Sequence, residues 1–232
     1  MRKLAPAAVA LLCAISVAAC GSSNSTSSSS AAGTGTSGAS SSTGTTSGAT
    51  STSTGSSPQI GFEGVPLQQG PQLAPASTTG TGKVDGISCG PTEQLVYHIH
   101  AHLAVFKSGQ AYTLPAGVGI PGSTAQETNQ GPVASGGTCI YWLHTHTTDG
   151  VIHVESPSKA IYTLGDFFDE WHQPLSGQRI ATLQGAVSAF VNGKPWKKSP
   201  RDIPLLPHAD IQLEIGAPPP PIVTINWSQT QL

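Results

Sequence analysis

From Leu95 to Phe106 apolar and polar side chains alternate almost without a break, the period of a strand with one face in a core. Ser108-Gly109 reads as a turn, and Ala111 to Leu114 as a short return strand. Pro115 to Pro121 is a loop, and residues 122–138, polar and rich in glycine, read as a surface loop. Cys139 to Thr147 and Val151 to Glu155 are strand-like runs around Asp149-Gly150, a two-residue hairpin signal, with Ser156-Pro157 as the stop. One helix is expected, from Leu164 to about His172. Thr163 is its N-cap, Asp166 stands three residues on, and Leu164, Phe167, Phe168 and Trp171 share a face. Ala186 to Val191 runs into a second hairpin signal at Asn192-Gly193, and Ile211 to Ile215 alternates again. Arg201 to Pro207 reads as extended, Pro218 to Pro221 as polyproline-like, and Ile222 to Trp227 as a short strand. Residues 58–90, rich in proline and glycine, form an irregular arm. The pattern predicts a mainly β domain with one short helix, built as a compact antiparallel sheet or a sandwich or barrel.

The same alternation gathers histidines. His98, His100 and His102 fall on one face of the first strand, and His144 and His146 on one face of a later one. With Asp149-Gly150 as a two-residue turn, His146 lies opposite His153 and His144 opposite Glu155. Ile152 and Val154 then point to the other face, toward the core. Three imidazoles from two adjacent strands suit tetrahedral zinc, and also copper(II), nickel or non-haem iron. Glu155 is a ligand, an acceptor that orients a ring N–H, or a general base beside a metal-bound water; the last two are favoured. His98 to His102 span about 13 Å at strand rise, too far for all three to bind one ion. His100, in the middle, is the first choice to complete the site, with His98 and His102 as further candidates. Asp149 is read as a turn residue. His172, near the helix end, and His208, in a loop, earn no metal role from spacing.

Composition adds an address. Arg2 and Lys3 precede an apolar run from Leu4 to Ala19, too short for a stable spanning helix, and Val17-Ala18-Ala19-Cys20-Gly21 resembles a bacterial lipobox. The expectation is a signal peptide at 1–19, lipidation of Cys20 and anchorage to the outer face of the cell membrane. An ordinary secretory signal is the alternative. Residues 21–57 are almost all Ser, Thr, Gly and Ala, a disordered tether with a reach of roughly 30–35 Å. Residues 58–232 are one domain's worth of chain, with its core at about 89–217. The net charge of −2 lacks the basic excess that nucleic acid calls for. In an oxidising compartment Cys89 and Cys139 are expected to pair, with a thiolate metal ligand as the alternative.

Familiar metal and nucleophile templates do not fit. HExxH and a Walker loop are absent, and the place where a cupin carries its glutamate is occupied here by the Asp-Gly turn. The runs HIHAHLAVF, LPAGVGI, CIYWLHTHTTDGVIHVESP and YTLGDFFDEW, followed by FVNGKPW and RDIPLLPHADIQLEIG, resemble an uncharacterised family of exported bacterial and archaeal His-rich proteins. The resemblance covers about residues 89–217 and is most specific in LHTHTTDGVIHVESP. It implies one compact His-rich domain, secreted or lipid-anchored, and no particular reaction. The sequence thus points to a membrane-anchored, extracytoplasmic protein that binds zinc or copper(II) for capture, buffering or delivery. A metal-dependent enzyme with Glu155 as base and a structural or pH-responsive surface module are the alternatives.

Overall fold

The longest strand, β1 (Tyr97–Lys107), is the spine of a seven-stranded sheet. It turns through Ser108 and Gly109, both at positive φ as a type I′ turn requires, into β2 (Gln110–Tyr112). Next come β3 (Leu143–His144), β4 (Val151–Ser156) and helix α1 (Leu164–Glu170). The sheet is completed by β5 (Val187–Val191), β6 (Lys194–Trp196) and β7 (Ala209–Ile215). The spatial order is β6-β5-β7-β1-β4-β3, with β2 also on β1. This is a computed structural model, and it describes residues 58–76, 80 and 82–232. The expected signal segment 1–19, the expected lipidation site Cys20 and the expected tether to residue 57 lie outside the described residues.

The protein is mainly β with one α-helix among the described residues. The sheet is mixed, because β7 pairs parallel with β1 while its other pairs are antiparallel. A parallel pair needs a long crossover, and the chain from β4 through α1 and the β5–β6 hairpin supplies it. One face of the sheet is the core. Leu103 and Val105 of β1, Ile152 and Val154 of β4 and Ile211 and Leu213 of β7 pack in one cluster with the α1 residues Leu164, Phe167, Phe168 and Trp171. Thr163 caps α1 as the sequence indicates: its hydroxyl accepts from Asp166 N, and the Asp166 carboxylate accepts from Thr163 N. The helix ends at Glu170, two residues earlier than expected, with Trp171 as C-cap and His172 in the left-handed region at φ 56°.

The opposite face is polar, yet largely covered. Glu63 to Gln68 of the arm and the C-terminal tail lie over it. Gln212 accepts a hydrogen bond from Val223 N at 2.8 Å, and Asp210 accepts from Ile225 N at 3.2 Å and Trp227 Nε1 at 3.1 Å. Here the expected strand Ile222–Trp227 does not form. Side chains of β7 hold that backbone, and the tail closes in a 3₁₀ turn at Trp227–Gln229. Residues 122–138 are not a loop but an exposed hairpin, Ser123–Thr128 with Gly131–Gly136. With little apolar surface on either side, that hairpin leaves no hydrophobic period to read. The arm 58–90 contains two short strands, Lys83–Val84 and Ile87–Gly90, the second paired with Ile140–Tyr141. The segment 201–207 begins in a 3₁₀ turn, Pro200–Asp202.

Cys89 and Cys139 form a disulfide at a sequence separation of 50. In the chain-entropy view, closing a loop of this length stabilises the fold by about 4 kcal/mol. The Cys89→Ser/Cys139→Ser double variant is therefore expected to melt about 10 °C lower than the parent. An unchanged midpoint in a thermal scan would show that the cross-link adds nothing to this sheet.

Candidate metal centre

The hairpin that carries the second histidine run is wider than the sequence suggests. β3 and β4 pair Leu143 with Val154 and His144 with His153, two residues out of the expected register, and residues 145–150 form the connection. Gly150 alone of the Asp149-Gly150 pair has positive φ, so no type I′ turn forms. Other bonds hold the longer loop. Thr145 is tied by backbone and side chain to Gly117, Val118 and Pro115, and the buried Asp149 carboxylate accepts from Val151 N at 3.1 Å. A slip of two residues preserves side-chain parity, so His144, His153 and Glu155 keep a common face.

On its other edge β4 pairs with β1, setting His100 opposite His153 and His98 opposite Glu155. His100, His153 and His144 therefore form a row across three strands. His146 enters from the loop, its Nε2 3.2 Å from His144 Nε2. His98 and His100 bring their Nε2 atoms to 2.9 Å. Glu155 lies among these rings: Oε1 is 3.1 Å from His98 Nε2 and 3.4 Å from His153 Nδ1, and Oε2 is 3.9 Å from His144 Nε2. Two sets result, His144, His146, His153 and Glu155, and His98, His100 and His153; within each, the ligand atoms lie within 4.8 Å of one another. His144, His153, His100 and Glu155 are buried, whereas His98 and His146 sit at the rim. His102 belongs to neither set. Its Nε2–H donates to the Asp149 carbonyl at 3.0 Å, with Gln68 beside it. His208 stacks on Trp227, and His172 stands past the end of α1.

Two residues of the centre have no sequence pattern. Glu63 reaches from the arm to place Oε1 2.9 Å from His153 Nε2, and Glu93 stands 3.4 Å from His146 Nε2. Glu63 left one trace: it is the only charged residue between positions 58 and 82, set beside Phe62 and close to Val65. Asp149 also proves to be more than a turn former, since it is fully buried and close to Glu63.

Burial sets the electrostatics. It lowers His100 to about 3, with repulsion from His153 and His98 adding to the effect, and it carries His144 well below the ordinary imidazole value. His146 is lowered for the same reason, and His102 falls to about 4 despite its bond to the Asp149 carbonyl. His153 is the exception. Burial pulls it down, but hydrogen bonds and charge from Glu155 and Glu63 outweigh that and raise it to about 9. Asp149 is raised to about 7, first by burial and then by the Glu63 charge. His144 Nδ1–H donates to the Tyr141 carbonyl at 2.9 Å, which leaves the Nε2 lone pair facing the cluster. His153 Nδ1 and Glu155 Oε2 are buried without a hydrogen-bond partner. A cleft of about 320 Å³, lined by Phe62, Val133 and Leu232 among others, reaches His146 and His153.

The fold and the site define a mainly β protein whose buried His/Glu cluster is arranged so that it could hold a metal ion. No protein-family model matches the chain, and no curated protein and no solved structure matches it either.

The metal-free protein is expected to be most stable near pH 6.5. Below that value His100, His102, His144 and His146 take up protons more readily when unfolded, so acid favours unfolding. Asp149 and the buried Glu170, raised when folded, oppose this in part. Above it, the stability from His153, complete below its unfolded value of 6.5, is lost as pH rises through about 9. Thermal midpoints from about pH 5 to about pH 9 test the two flanks; a midpoint that climbs steadily to the alkaline end would refute the His153 ion pair.

Proposed function

We propose that this chain is an exported, lipid-anchored protein that binds a transition metal, zinc or copper(II), through His144, His146, His153 and Glu155, for capture, buffering or delivery. The observation that carries the reading is the set of ligand atoms left facing one another. The Tyr141 carbonyl accepts from His144 Nδ1–H and Glu63 holds His153 Nε2, so His144 Nε2, His153 Nδ1 and Glu155 Oε2 turn toward the cluster, the last two with no hydrogen-bond partner. The 3.2 Å between His144 Nε2 and His146 Nε2 is close to the edge of a zinc tetrahedron, about 3.3 Å for Zn–N bonds of 2.0–2.1 Å. Carboxylate and carbonyl acceptors behind the ring nitrogens are the usual supports of metal-binding imidazoles. The disulfide supports an oxidising, extracytoplasmic setting. The Cys20 lipid anchor and the resemblance to exported His-rich proteins belong to the same proposal.

A second reading, a metal-dependent enzyme with Glu155 as base, is favoured by the cleft at His146 and His153, which gives room for a water or a small ligand on the metal. Azide added to the cobalt(II)-loaded protein separates the two. A shifted visible spectrum marks an open coordination position, and an unchanged one a closed binder.

The full chain, purified without chelators, is expected to carry transition metal by elemental analysis and to carry less of it in His146→Ala and His153→Ala. Failure to retain or take up zinc or copper(II) would leave the pH-responsive surface module as the reading. Binding must displace the His153 proton, so apparent affinity is expected to rise up to tenfold per pH unit until about pH 9. A pH-independent affinity would remove His153 from the ligand set. Radiolabelled fatty acid is expected to enter the chain and to be excluded by Cys20→Ser; equal labelling of both would refute the anchor.

A further inference from the structure

We propose that the centre holds a pair of metal ions bridged by the Glu155 carboxylate, one ion between His144 and His146 and the other between His98 and His100. The inference rests on the metal-binding reading above and extends it from one ion to two. Strand β4 lies between β1 and β3, so its side chains on this face have histidine neighbours on both edges. Each edge supplies its own ready pair: Nε2 atoms 3.2 Å apart on the β3 side and 2.9 Å apart on the β1 side, both near the spacing of two ligands on one ion. The two pairs fall into separate sets of ligand atoms within 4.8 Å of one another, and His153 is the residue common to both.

Glu155 links the sets through different oxygens. Oε1 faces His98, at 3.1 Å, and Oε2 faces His144, at 3.9 Å. A carboxylate 2 % exposed, with Oε2 lacking any hydrogen-bond partner, is placed as a bridge would be. His153 Nδ1, also unpartnered and 3.4 Å from Oε1, stands between the two positions and completes one of them. Two-metal sites hold their ions about 3.5–4 Å apart, a spacing at which one carboxylate spans both. Charge points the same way. Glu63, Glu93 and Glu155 ring the imidazoles, with Asp149 behind Glu63, so the centre has acid enough for more than one divalent ion. The rim histidines, His98 and His146, belong to different pairs, which gives each position its own opening to solvent.

Copper(II) is the probe. The full chain is loaded to saturation, freed of excess and examined for copper content and by electron paramagnetic resonance. The expected result is two equivalents per chain, with a resonance far weaker than the copper content because bridged ions couple. The His98→Ala/His100→Ala variant is expected to keep one equivalent and show an isolated copper(II) spectrum of full intensity. One equivalent in the parent overturns the pair and leaves the single-ion function standing, whereas none overturns both. Two equivalents with an uncoupled spectrum, or two retained by the variant, also overturn the bridge. If the variant does not fold, the parent's stoichiometry and spectrum decide alone.

Discussion

Strand β4 is buried along its whole length, and that constraint organises the molecule. It is paired on both edges, has Ile152 and Val154 in the core on one face, and carries His153 and Glu155 on the other. A strand so enclosed leaves its polar side chains little contact with water, and an unpartnered buried ion is strongly unfavourable. The neighbouring residues answer that demand. β1 and β3 bring imidazoles to either side, and the arm brings Glu63. The two faces are therefore not independent: the packing that secures Ile152 and Val154 is what forces His153 and Glu155 inside.

Covering the polar face is the task of chain segments with little regular structure. The tail beyond β7 makes no ladder but hangs on Asp210 and Gln212, side chains that sit on the same face as the histidines of β1. The arm and tail also meet, Gln231 N donating to the Glu63 carbonyl at 3.3 Å. Glu63 is thus held from both ends of the described chain, and its contact with His153 spans 90 residues of sequence. A contact so far apart in sequence closes a long loop and depends on tertiary folding rather than on local sequence.

What the sequence revealed followed from period and local chemistry. β1, α1 with its capping box and the Asn192-Gly193 turn are each written in a few adjacent residues. So was the shared face of His144, His153 and Glu155, since parity survives a slip of two. The register itself was not legible. Asp149-Gly150 has the composition of a tight turn, but the bonds that open the loop come from Pro115, Gly117 and Val118, about 30 residues away. Glu63 and Glu93 were invisible for the same reason, being single charges brought in by tertiary folding. The hairpin within 122–138 and the parallel pairing of β7 lacked any hydrophobic period or short-range turn that could announce them.

The disulfide has a meaning beyond stability. Cys89 and Cys139 each stand a few residues ahead of a histidine run, at His98 and at His144. Two segments far apart in a flexible chain meet rarely. Once the cystine is closed they share a small volume, and their meeting becomes intramolecular, at an effective concentration set by a few residues of chain. The cross-link therefore gathers two separate His-x-His fragments, His98-Ile99-His100 and His144-Thr145-His146, as well as stapling the arm to the sheet.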